Sequence, residues 1–169
     1  MVGPQNRDIA LKDSIYAAIG LAAPVLEDKL DFQAFLSSTL TPEVQIEGAG
    51  YNILRRRIAI VLGQWMPVKE GLDRPLVYQI FQHLLDPDGN DQVVRVTAGR
   101  QLRNVIDPFE FTADGFNPYA NTTITRLMKL IEQVELPETK RALLGTLSVI
   151  ISRMNQHVSH SLTTTMTFN

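Results

Sequence analysis

The chain has 169 residues, 44% of them apolar and 20% charged, with a net charge of -2 and a pI of about 5.9. That is enough for a sizeable core in one unit, and too little positive charge for a protein that lives by gripping phosphate. With no cysteine, disulfides, thiolate chemistry and sulfur-ligated zinc are excluded. No apolar run is long enough to span a bilayer, and the opening "MVGPQNRDIALKD" has no apolar signal-peptide core.

In chain order, the helical period dominates. Leu11, Ile15, Ala18, Ile19 and Ala22 fall on one helical face, which predicts a first helix over about 7–23. "DFQAFLSSTL" (31–40) reads as a shorter helix. Next comes a second stripe of Leu54, Ile58, Val61, Leu62 and Trp65. "PLVYQIFQHLL" (75–85) precedes the stripe Val94, Ala98, Gln101, Leu102 and Val105. "TTITRLMKLIEQV" (122–134) precedes Leu143, Leu147, Ile150, Ile151 and Met154. Thr41-Pro42, Asp73-Arg74-Pro75, Asn117-Pro118 and Leu136-Pro137-Glu138 place proline near helix starts. "DPDGND" (86–91) and "DPFEFTADGFNP" (107–118) read as turn-rich connections.

The long stripes begin at 11, 54, 94 and 143, so a helix pair recurs every 40 to 49 residues. That period marks HEAT or armadillo arrays. The expectation is an all-α, right-handed HEAT-repeat solenoid of about three helix pairs behind an orphan leading helix. Its units are the orphan at about 7–23, repeats at 31–68, 74–107 and 117–157, and the start of a further repeat at 159–169. A closed helical bundle is the competing architecture.

The repeat also has internal chemistry. Asp91, Arg95 and Ala98 echo Asn52, Arg56 and Ala59, one repeat earlier. A polar residue, a base four on and a small residue three further can form a ladder between neighbouring repeats. In "NILRRRIA" the three arginines fan over about 200 degrees of a helix, so they form no flat patch. Arg56 is the ladder candidate; Arg55 and Arg57 flank it, with stems along apolar surface and heads in water. These residues read first as structural or solvated, next as a protein contact, last as a nucleic-acid contact. Trp65 reads as core at a repeat junction, with a partner anchor as the alternative. Phe109, Phe111, Phe116 and Tyr119 are expected to pin the 107–118 loop.

Other chemistry falls away. "DPDGNDQVVRVT" starts like a calcium loop, but Asp91 stands where glycine is needed and Thr97 where glutamate is needed. His157 and His160 have helical metal spacing but no third ligand nearby in sequence. No phosphate-cradling glycine loop or assignable nucleophile–base set occurs, so the chain reads as no enzyme, with no cofactor and no metal.

"KDSIYAAIGLA" (12–22), "YNILRRRIAIVLGQWMPVK" (51–69), "QVVRVTAGRQL" (92–102) and "DPFEFTADGFNPY" (107–119) together resemble the importin-β superfamily of nuclear transport receptors, most closely its importin-eleven branch. The resemblance runs from about Lys12 to His160. It implies a long HEAT solenoid of a shuttling receptor found in cytoplasm, nucleus and nuclear pore. Its implied partners are cargo proteins, Phe-Gly nucleoporins and the GTP-bound GTPase Ran. It implies no small molecule, nucleic acid or membrane. A HEAT scaffold of another pathway is the alternative. The chain is expected to be an internal piece of such a receptor, with exposed apolar ends at Ile15, Ile19, Leu147 and Ile151 that favour self-association. A clean monomer at high concentration in size-exclusion with light scattering would refute that expectation.

Overall fold

Helix α5 (Tyr51–Trp65) shows why the chain folds as it does. Leu54, Ile58, Val61, Leu62 and Trp65 recur at helical spacing, and each is 0% exposed. The structure is a computed structural model that describes the backbone of residues 4–165 and the side-chain surroundings of 7–155. Among the described residues it is helical throughout, without strands: α1 (Pro4–Leu21), α2 (Ala23–Leu26), α3 (Phe32–Phe35), a π-helical turn (Leu36–Leu40), α4 (Thr41–Val44), α5 (Tyr51–Trp65), α6 (Arg74–Leu84), α7 (Gln92–Ile106), α8 (Ala113–Gln133) and α9 (Pro137–Thr165).

The helices sort into two layers. In one, α1 packs on α5, α5 on α7 and α7 on α9; in the other, α4 touches α6 and α6 packs on α8. Successive helices thus alternate between layers, and each long helix meets the equivalent helix one repeat on. This is the arrangement of a HEAT-repeat α-solenoid rather than of a closed bundle, whose first and last helices would meet.

Caps set the helix starts. The side chains of Asp31, Asp73 and Asp91 accept from the backbone N–H groups of Ala34 (2.9 Å), Leu76 (3.0 Å) and Val94 (2.8 Å). Each satisfies a first-turn donor that the helix itself leaves unpaired.

Two boundaries differ from the sequence reading. Leu40 does not end a helix before Pro42: the run from Phe32 to Val44 is continuous through the π turn. Proline has no N–H for an ordinary helical bond. In the widened turn the Thr41 N–H and hydroxyl both reach the Leu36 carbonyl, the hydroxyl at 2.8 Å. Similarly, α8 begins at Ala113, capped by the Thr112 hydroxyl that accepts from Gly115 N at 3.2 Å, so Pro118 falls in its second turn. The expected 107–118 loop is therefore half helix. At the far end the backbone of α9 continues to Thr165, where a further repeat was expected to start at 159; residues 166–169 lie outside the described residues.

Tight packing within the long-helix layer relies on glycine. A Cβ on Gly63 would lie 3.1 Å from Gln101 Cβ and one on Gly99 2.5 Å from Leu143 Cδ2, each on the next helix of that layer. The missing Cβ lets successive helices approach closely.

Candidate protein-contact surface

The three arginines of α5 have three separate environments. Arg55 is only 5% exposed. Its Nε donates to the Val44 carbonyl (3.0 Å) and its Nη2 to the Ile46 carbonyl (3.1 Å). Its Nη1 donates to the Gly89 carbonyl (2.7 Å) and to Asn90 Oδ1 (3.3 Å). One guanidinium so ties the end of α4 to the α6–α7 turn, using the fork of donors that only arginine carries. His83 closes the junction: its Nε2 lies 3.1 Å from the Val44 carbonyl, while the His83 carbonyl accepts from Asn90 Nδ2 at 2.7 Å. Burial, reinforced by the nearby Arg55 cation, holds the His83 imidazole below its ordinary pKa.

Arg57 reaches across repeats. Its Nε and Nη2 donate to the two carboxylate oxygens of Asp13 on α1, 44 residues away, at 2.7 and 3.2 Å. The ladder continues from Asn52 Nδ2 to Asp91 Oδ2 at 2.9 Å and from Arg95 Nη1 to Gln133 Oε1 at 2.8 Å. Arg56, the residue expected to form the rung, is exposed and takes no part in this ladder. A one-residue shift turns a helical side chain by about 100 degrees, enough to move the rung to Arg57. Ala59 and Ala98 are fully buried, as small residues at a close approach are.

Trp65 is 0% exposed. Its ring stacks on Phe32 at 4.1 Å and 5°, and its indole N–H donates to the Ile19 carbonyl at 3.1 Å. It joins α1, α3 and α5 and offers no surface to a partner. The aromatic group near α8 divides. Phe116 packs edge-on against Tyr78 (5.0 Å) and lies 5.7 Å from Phe111, whose own ring is covered by the Arg153 guanidinium at 5.4 Å. Phe109, expected to pin the loop, is instead 98% exposed.

The acidic turn at 86–91 is occupied by the protein itself. Asp86 pairs with Arg126 at 2.9 Å and Asp91 serves as a cap and rung. The side-chain surroundings of His157 and His160 lie outside the described residues.

Sequence reasoning missed a second buried junction. Glu43, 5% exposed, accepts from Lys12 Nζ and from the Tyr16 hydroxyl, both on α1. Burial and then the bond to Glu43 push the Tyr16 phenol well above its usual pKa, and the same carboxylate raises that of Lys12. The partners lie 27 and 31 residues apart, so no local pattern announces them.

Two surface depressions flank these junctions. One, of about 340 Å³, lies beside the α6–α7 turn against α8 and is lined by Leu85, Asp86, Thr122, Thr125, Arg126 and Lys129. The other, of about 680 Å³, lies across α5, α7 and the α8–α9 connection.

No protein-family model matches the chain. Individual relatives do. Importin-11 of Mus musculus and of Homo sapiens is 38% identical over 161 residues, covering 92% of this chain and 16% of the relative. Importin beta-like protein KAP120 of Saccharomyces cerevisiae is 32% identical over 160 residues, covering 92% of this chain and 15% of the relative. Among solved structures, Lph2, described as a novel bidirectional nuclear transport receptor in S. cerevisiae, superposes with a TM-score of 0.77 at 33% identity, over 85% of this chain and 15% of that one. The chain thus spans about one sixth of the length of the relatives it matches. Sequence likeness along 92% of the chain and structural likeness along 85% of it agree, and the chain belongs to the importin-11 branch of the importin-β superfamily.

Proposed function

We propose that this chain is a non-catalytic, protein-binding segment of a nuclear transport receptor. The receptor carries cargo proteins through the nuclear pore, shuttles between cytoplasm and nucleus, and is controlled by GTP-bound Ran. The observation that carries this reading is 38% identity to importin-11 along 92% of the chain. The segment is organised as an orphan helix followed by three repeats, at 31–68, 74–107 and 117–157. Its polar ladders hold neighbouring repeats in register while leaving the rest of the surface to partners. Small rotations between repeats would alter the pitch of the receptor without breaking a core.

The test is a fluorescence or NMR titration of the 169-residue chain with a Phe-Gly repeat peptide, a Phe-to-Ser control peptide, and Ran in its GTP and GDP forms. Saturable binding of the Phe-Gly peptide that the control lacks, or binding of Ran selective for its GTP form, is the expected result. Saturation by neither would overturn the assignment of pore and Ran contacts to this segment.

A further inference from the structure

The groove across α5, α7 and the α8–α9 connection has the chemistry of a peptide site. Its apolar lining is Val93, Val96, Val134 and Leu136. Val93 is 60% exposed and Leu136 65%, and Ile53, one repeat before Val93 and one turn before Arg56, is 52% exposed. Ile53 and Val93 thus repeat one exposed aliphatic position on α5 and α7, and Leu136 adds a further exposed aliphatic side chain at the α8–α9 connection. Scattered exposed apolar residues are ordinary, but Val93 and Leu136 meet in one groove.

The rim carries charge. Arg56 and Arg100 line the groove from α5 and α7. Neither makes an ion pair among the described residues, in contrast to Arg57, which Asp13 neutralises. The carboxylate of the lining is Glu135, at the α8–α9 connection. Positive charge therefore gathers on the α5–α7 side and a single negative charge sits opposite. The neighbouring polar groups are already engaged: Gln92 Nε2 donates to the Gln133 carbonyl at 3.2 Å, and Thr97 Oγ1 donates to the Val93 carbonyl at 2.8 Å. The walls are held by these bonds, while the two guanidinium groups are left to an incoming ligand.

We propose that this groove docks an extended segment of a partner protein that alternates aliphatic and acidic residues. In an extended chain alternate side chains point to opposite faces. Aliphatic side chains enter against Val93, Val96 and Leu136, and carboxylates leave toward the rim, where Arg56 and Arg100 take them as charge-assisted, two-pronged hydrogen bonds. A basic segment is disfavoured by the same arginines, and a purely acidic one leaves the aliphatic lining in water. The inference stands on the groove and not on the transport reading, so either can fail without the other.

The test is fluorescence polarisation of the 169-residue chain with a labelled octapeptide alternating leucine and glutamate. Companion peptides carry lysine for glutamate or serine for leucine. The expected result is saturable binding of the first alone, weakening as salt rises, and at least tenfold weaker in the Arg56→Glu/Arg100→Glu variant. Both side chains are exposed, so the variant should melt as the parent does, and circular dichroism checks that. No saturation, equal binding of the lysine or serine peptide, or an unaffected double variant would each overturn the proposal.

Discussion

Helix α5 is covered on both flanks of its layer, by α1 and by α7, whereas α1 has α5 on one flank only among the described residues. Both helices carry an apolar stripe at the same spacing. On α5 every member is buried. On α1, Leu11 is 61% and Ile15 46% exposed, as is Leu21 at 76%, and the face actually buried is Ile9, Tyr16 and Gly20. The other terminal helix behaves alike: Leu143 and Ile150 of α9 are buried, while Leu144 and Ile151 are about half exposed. An amphipathic stripe states what a helix can bury. A neighbour decides what it does bury, which is why stability in a solenoid is written helix by helix.

The largest effect should come from breaking the covered side. Trp65→Ala removes a stacked, fully buried ring and should cost about 4 kcal/mol in urea unfolding. Leu11→Ala on the uncovered side should stay within about 0.5 kcal/mol. Equal losses at the two positions would mean that α1 is buried in solution.

The next largest concerns the polar junction. Arg55→Met keeps the stem but leaves the Val44, Ile46 and Gly89 carbonyls short of a donor, and should cost about 3 kcal/mol. Arg56→Met, one residue away and exposed, should be near neutral by the same measurement.

Smaller still is the ladder. Asp13 and Arg57 are each about a quarter exposed, so solvent screens the pair. A double-mutant cycle with Arg57→Ala and Asp13→Ala should return below about 1 kcal/mol, shrinking toward zero as salt rises.

The smallest is a pH effect. The folded state lowers the His83 pKa, so in the window between that value and the unfolded pKa of about 6.5 the unfolded chain binds more protons. Stability should therefore fall as pH drops below about 6.5, and His83→Gln should flatten that part of the profile. A profile unchanged by the substitution would remove His83 as its source.

Much of this architecture is legible from residue order. The repeat period, the helix pairs and the α5 and α7 stripes follow from spacing, because a helix buries what recurs every three to four residues. The aspartate caps are legible too, since each lies within three residues of the donor it satisfies. The candidate surface was less readable. Arg55, Arg56 and Arg57 are chemically identical and adjacent, yet one is buried, one exposed and one paired. The partners of Arg55 and Arg57 are 9 to 44 residues away, and a turn of about 100 degrees per residue separates the fates of the three arginines.

What the sequence by itself determined, then, is the solenoid: local periodicity, capping and proline placement are short-range properties that each segment carries with it. Tertiary structure alone decided which side of α1 is buried, that Glu43 gathers Lys12 and Tyr16, that Phe109 points to solvent, and that Arg56 and Arg100 share a groove with aliphatic side chains. Each of those depends on which helix lies alongside, and burial and pairing across that distance are settled by packing rather than by neighbours in the chain.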